Sequence, residues 1–364
     1  MNHKLSDAAA LVAVIGTLCL SGAAQSAETG HHGADGVRAI DHGPIGVMAD
    51  HTHNRGEWML SYRAMHMQMQ GSRVGDSSIS PAETATGVAN PFAGAPGQPP
   101  TLRVVPTEMT MTMHMIGAMY APSDTITLMA MLNIIDQDME HTTFMGPVGT
   151  TELGNFTTAS TGLGDTQLSA LARLGQWGNG GRLHSQFGIS IPTGDINETD
   201  QVLTPTGATP SPRLPYPMQL GSGTWDLLAG LTYVRDLDRA SFGGQWRSRF
   251  RLGENNADYR LGNQHKLTGW YARSISPSLS LSARIAYTHR GSIRGRDALI
   301  VAPVQTADPD NQGGDVVEVG LGANSVLFGR HRFGLEVMLP LHRDLNGPQL
   351  ETDWHLTFGY QLAL

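Results

Sequence analysis

The 364-residue chain reads as an all-β protein: a transmembrane, antiparallel, up-and-down β-barrel of about twelve strands behind a flexible, His-rich N-terminal segment. Three observations predict this. The last strand is apolar on one side only, with Trp354, Leu356, Phe358, Tyr360, Leu362 and Leu364 on one face and Asp353, His355, Thr357, Gly359, Gln361 and Ala363 on the other. The start of the chain has the pattern of an export signal: Met1-Asn-His-Lys4, an apolar run from Ala8 to Leu20, and the small residues Ala24-Gln25-Ser26-Ala27. Between these ends, period-two segments are separated by connections that alternate short and long.

Residues 1–27 are therefore expected to be a signal peptide, 28–55 an N-terminal segment in the periplasm or the lumen, and 56–364 the barrel. The first expected strand runs from Gly56 to Gln70, the second from Val104 to Ala121, the third from Asp124 to Gln137 and the fourth from Gly162 to Gln176. The fifth spans Gly181 to Gly194, where Leu183, Phe187, Ile189 and Ile191 share a face. Gly223 to Arg235 is the sixth, with Trp225, Leu227, Ala229, Leu231 and Tyr233 facing outward. Arg239 to Gly253 and Tyr259 to Ile275 follow. The ninth, Ser278 to Ile293, presents Leu279, Leu281, Ala283, Ile285 and Tyr287 to lipid. Gly314 to Phe328 is the tenth. His331 to Arg343 carries Phe333, Leu335, Val337, Leu339 and Leu341, and Thr352 to Leu364 completes the set. Short turns at 121–124, 177–180, 236–238, 276–277 and 329–330 mark the periplasmic side. Longer stretches at 71–103, 138–161, 195–222, 254–258, 294–313 and 344–351 are expected outside.

Composition fits an outer-membrane location. Forty-four glycines, 15% charged residues and a mean hydropathy of -0.19 suit strands that are half apolar and half polar. A soluble periplasmic sandwich is the competing architecture. The net charge of -8, with no basic stripe, argues against nucleic acid as a partner. The only cysteine, Cys19, lies in the expected signal, which excludes disulfide and thiolate chemistry from the mature chain. Apart from Lys4 and Lys266 every basic residue is an arginine, a side chain suited to fixed, hydrogen-bonded positions.

The polar faces define the lumen. Arg173, Asp226, Arg247, Arg249, Arg251, Lys266, Arg284, Glu318, Glu336 and Asp353 project inward, either as a cross-strand ion-pair network or as a charged constriction that selects a solute. Methionines form a second pattern. Met65, Met67 and Met69 end strand one, Met109, Met111, Met113, Met115 and Met119 follow strand two, and Met129 and Met131 sit on strand three. If Ile116, Leu128 and Leu132 face lipid, these thioethers share one patch of lumen, whereas His66 and His114 fall on the opposite face. Adaptable packing, a greasy patch for an apolar solute and a copper site are the open readings. The third pattern, His31, His32, Asp35, Asp41, His42, Asp50, His51 and His53, is either a solvated tail, a lumen plug or a zinc or copper(II) site.

Five segments in order, Gly56-Glu-Trp-Met-Leu-Ser-Tyr-Arg63, Gly117-Ala-Met-Tyr-Ala-Pro-Ser-Asp124, Gly162-Leu-Gly-Asp165, Ser190-Ile-Pro-Thr-Gly194 and Arg251-Leu-Gly-Glu-Asn255, resemble the phenol-degradation MetA-pathway family of outer-membrane barrels. The resemblance covers about Gly46 to Leu364. It implies a transporter-like channel, with aromatic or other small apolar solutes, and no catalytic motif. Expected partners are outer-membrane lipid, the barrel assembly machinery and a small solute or metal ion. The leading expectation is a solute channel, ahead of a copper-handling barrel. An outer-membrane lipid hydrolase comes third, because no serine can be set beside the outward His114, His265 or His289, and the Gly-x-Ser-x-Gly elbow is missing.

Overall fold

The computed structural model describes residues 38–364. The expected signal peptide with Cys19, and His31, His32 and Asp35 of the N-terminal tract, lie outside the described residues. The strands are β1 (Trp58–Gly75), β2 (Ser77–Ile79), β3 (Val104–Tyr120), β4 (Ile126–Phe144), β5 (Glu152–Leu163), β6 (Thr166–Trp177), β7 (Gly181–Ile191), β8 (Trp225–Asp236), β9 (Ala240–Leu252), β10 (Tyr259–Arg260), β11 (Gln264–Ser276), β12 (Leu279–Arg290), β13 (Arg294–Gly295), β14 (Gly314–Leu327) and β15 (His331–Ala363). A 13-stranded antiparallel sheet closes on itself where β15 pairs with β1, so eleven strands form the ring and β2 and β5 lie off it. Among the described residues no helix is long and apolar enough to cross a membrane.

Two elements account for the count. β5 and β6 both pair antiparallel with β4, as successive stretches of one descending run broken at Gly164 and Asp165. β15 folds back: 331–345 pairs with β14, 345–363 pairs with β1, and the Ala363 N–H donates to the Arg330 carbonyl at 3.2 Å. The expectation of about twelve strands is therefore close. Some boundaries need correction. Residues 138–161 and 344–351, expected as loops, are largely strand, because β4 and its partner rise as a hairpin and β15 turns tightly. Tyr259 does not begin the eighth strand but pairs with Gly295 in the separate β10–β13 ladder. The long 71–103 connection holds the end of β1, β2 and a helix, α1 (Pro81–Gly87), whose capping box joins Ser80 and Glu83.

The expected lipid face is the observed one. Leu60, Ile116, Leu128, Leu132, Phe187, Leu231, Leu281, Leu335 and Leu339 are exposed on the outer wall, with Trp58, Trp177 and Trp225 at the strand ends. The outer loops pack as a satellite core of Val104, Tyr216, Tyr259, Ile293, Ile300 and Val304, pinned by the Arg213–Asp297 ion pair at 2.6 Å.

Glycine richness predicts a flexible N-terminal segment, yet from Arg38 onward wall side chains fix it. Ile45 seats in a notch made by two inner-wall glycines. A Cβ on Gly334 would lie 2.6 Å from Ile45 Cβ, and one on Gly359 would meet the same side chain even more closely. Gly334→Val is therefore expected to lower stability by ~1–3 kcal/mol through overpacking, read as a lower urea midpoint.

Candidate functional site in the barrel lumen

The strand period puts Arg173, Asp226, Arg247, Arg249, Arg251, Lys266, Arg284, Glu318 and Glu336 on the polar face of their strands, while Asp353 is the residue skipped where the β1–β15 register shifts between Trp354 and Thr352. Most are paired. Arg284 forms a two-pronged bond with Glu336 at 2.8 and 2.7 Å, with both side chains almost fully buried. Asp226 accepts from Arg251 at 2.6 Å, with Arg249 at 4.0 Å. Glu318 lies 2.9 Å from His355 and 4.0 Å from Lys266. Arg173 instead donates to Thr52 of the N-terminal segment at 3.2 Å. Among the described residues no carboxylate lies within ion-pair distance of Arg247.

The methionines share one wall. Across β1 and β3, Met65 faces Met113, Met67 faces Met111 and Met69 faces Met109, while Met119 stands between Met59 and Met129. Two packed groups form among the methionines. Met59, Met119, Met129 and Met131 enclose Ala49, with Met48 and Met115 against them. Nearer the outer loops, Met109 and Met139 pack with Leu214 and Met218, and Met69 joins them. Between the groups a cavity of about 220 Å³ is lined on one side by Met113, Met115 and Met131 and on the other by Arg247, Arg249, Lys266 and Arg284, over a floor of Gly46-Val47-Met48. Asn133, Gln167, Gln186, Gln245 and Gln264 are among the uncharged polar residues that line it.

The floor segment is held through its carbonyls. Arg63 Nε donates to the Ile45 carbonyl at 3.1 Å, Asn324 to Gly43 at 3.2 Å and Gln245 to Met48 at 2.9 Å. Arg332 also donates to the Gly43 carbonyl, and His184 Nε2 lies 2.9 Å from the Ala49 carbonyl. Sequence reasoning missed Arg63 and Arg332. Their signal was parity alone, one polar residue between Tyr62 and Ala64 and another before Phe333.

Four side chains of this segment converge. The Nδ1 atoms of His42 and His51 are 3.4 Å apart, His51 Nδ1 is 2.8 Å from Asp50 Oδ1, and His42 Nδ1 is 3.9 Å from Asp50 Oδ2. The His53 ring centroid lies 4.9 Å from that of His51. Desolvation, aided by Arg332, drives His42 well below the usual imidazole range, and burial pushes His53 down to about 4. Burial acts to raise the Asp50 carboxyl, but His51 and Arg332 outweigh it and keep the group ionised.

The motif segments meet as structural joints. Asp165 accepts from the Gly194 N–H at 3.2 Å and from Ser222 N–H and Oγ at 3.0 and 2.7 Å, and Asn255 donates to the Ser222 carbonyl at 3.0 Å. The Gly56 N–H likewise donates to the Ala121 carbonyl at 2.8 Å. On the outer face Ser248 Oγ stands 2.7 Å from His265 Nδ1, a pairing sequence alone did not place. The same cross-strand arrangement joins Tyr62 to His114, Thr112 to His66 and Tyr360 to His331, so a hydroxyl partner is the common way outer-face imidazoles are satisfied here.

A closed antiparallel wall, apolar outside and polar within, defines an outer-membrane β-barrel. No family model matches the chain, and no curated protein matches it. Among solved structures it is similar to an outer membrane channel from Pseudomonas putida F1, at 14% identity over 88% of this chain and 100% of that one, with a TM-score of 0.57. It is more distantly similar to the β domain of the Bordetella autotransporter BrkA (10% identity, 86% and 100% covered, TM-score 0.42) and to a deletion mutant of the TodX monoaromatic hydrocarbon channel (10%, 85% and 91%, TM-score 0.40). At such identities the likeness is one of fold; the outer-membrane location goes with the closed barrel and its apolar outer wall. None of these comparisons supports copper passage.

Proposed function

We propose that the barrel is a channel for a small solute with an apolar body and a negative charge, and that residues 38–55 form a plug in its lumen. The observation that carries this is the two-sided cavity. Thioethers are polarizable and conform to an apolar or aromatic body. The facing wall offers Arg247 without a carboxylate partner, beside Arg249 and Lys266, so an anion supplies what the wall lacks. The resemblance to the phenol-degradation MetA-pathway barrels supports the aromatic form of such a solute. The methionines act here as lining and packing, not as a path for copper.

The test is uptake of labelled benzoate by proteoliposomes at a pH where it is ionised. Replacing Arg247 and Lys266 together by glutamine is expected to slow entry about tenfold or more, in line with the ~1.5–3 kcal/mol of a hydrogen bond to a charged group. Uptake of a neutral analogue of similar size is expected to change little. Equal loss for both solutes, or no loss for benzoate, contradicts the anionic assignment.

A further inference from the structure

We propose that His42, Asp50 and His51 form a binding site for a borderline divalent transition-metal ion, of the Zn(II) or Cu(II) type, that staples the N-terminal segment into a closed loop inside the barrel. The three side chains bring one ligand atom each to within 4.8 Å of one another. For metal–nitrogen bonds of ~2.0–2.1 Å a tetrahedral ligand edge is ~3.3–3.4 Å, and the two Nδ1 atoms are 3.4 Å apart. Two imidazoles and a carboxylate form a donor set for borderline dications, not for Cu(I) and not for Ca(II).

The surroundings fit the assignment. His51 Nε2 and His53 Nε2 are buried without a hydrogen-bond partner. With Nδ1 of His51 given to a metal, the ring N–H would be on Nε2, the other nitrogen of a neutral imidazole ligand. Asp50 Oδ2 is already oriented by the Gly43 N–H at 2.8 Å, the kind of outer contact that fixes a ligating carboxylate. The fourth position falls to the His53 imidazole or to water. The turn in which the Val47 N–H donates to the Pro44 carbonyl at 2.9 Å returns the chain so that residues seven to nine apart in sequence meet. Closure at this base holds Ile45 in its glycine notch.

Titration of the refolded full chain with Zn(II), followed by calorimetry, and the ligand-field spectrum of the Co(II) form test the proposal. One ion per chain is expected, with a tetrahedral Co(II) band. His42→Gln with His51→Gln is expected to lose more affinity than the ~10–100-fold that an outer contact contributes. His31→Gln with His32→Gln is expected to keep both affinity and band. Asp50→Asn, the near-isosteric change, guards against misfolding in the double variant: in a barrel that remains heat-modifiable on gels, it should weaken binding and alter the band. Absence of stoichiometric binding, binding that follows His31 and His32 instead, or an unchanged Co(II) band in Asp50→Asn overturns the proposal.

Discussion

Alanine at Glu336 is expected to destabilise the barrel by ~3–5 kcal/mol, because it leaves the Arg284 guanidinium buried without its carboxylate. The pair is the most deeply buried ion pair of the wall, with side-chain exposures of 2% and 1%. It lies directly against the N-terminal segment: a Cβ on Gly46 would come within 2.6 Å of Arg284 Nη2. Glycine at 46 is thus what lets that segment pass over the pair. The effect is read as a shift in the urea unfolding midpoint. Replacing both partners, Glu336→Leu with Arg284→Met, should recover most of the loss, since exchanging a buried pair for apolar groups is often near neutral. A double variant as unstable as the single one would show that the cost comes from packing and not from the orphaned charge.

Deleting residues 38–55 is expected to turn a poorly conducting barrel into an open, anion-preferring pore. The segment's carbonyls occupy Arg63, Arg332, Gln245 and Asn324, and its side chains pack on the lower methionine group. Once it is removed, water can satisfy those groups, and Arg63 and Arg332 join Arg247 as exposed lumen cations. The closed sheet does not depend on the segment for its ladder, since β1 pairs with β15 and β3 on its own. Planar-bilayer recording of the truncated chain should show larger unitary conductance and a reversal potential shifted toward anions. Conductance identical to that of the full chain would place the constriction in the outer loops instead.

The wall was legible in the sequence because lipid on one side and polar lumen on the other impose a strict period of two. Leu279, Leu281 and Ala283, and Met129 and Met131 between Leu128, Ala130 and Leu132, could each be assigned a face without coordinates. What failed was local. The break at Gly164 and Asp165 depends on Asn133, whose amide donates to the Asp165 carbonyl at 2.7 Å from another strand. The β4–β5 hairpin has the sequence character of a loop because polar residues such as Asp138 and Glu140 alternate there above the apolar band. Helix α1 had its signature in Ser80-Pro-Ala-Glu83 and went unread beside the glycine- and proline-rich stretch that follows.

The lumen was legible as a list of residues and not as a site. Which charges pair, and that Arg247 has no carboxylate within ion-pair distance, depends on cross-strand register. The seat of Ile45 between Gly334 and Gly359 joins segments nearly three hundred residues apart, and no periodicity reports such a contact. The His42, Asp50 and His51 residues were conspicuous by type, but only the turn after Pro44 makes them neighbours.

The most direct measurement of the central claim is benzoate entry into proteoliposomes bearing the full chain, compared with protein-free vesicles at alkaline pH. The channel account predicts entry above the lipid background that saturates with concentration and is competed by other small aromatic carboxylates. Entry no faster than in bare vesicles, for the full chain and for the form lacking residues 38–55 alike, would contradict it.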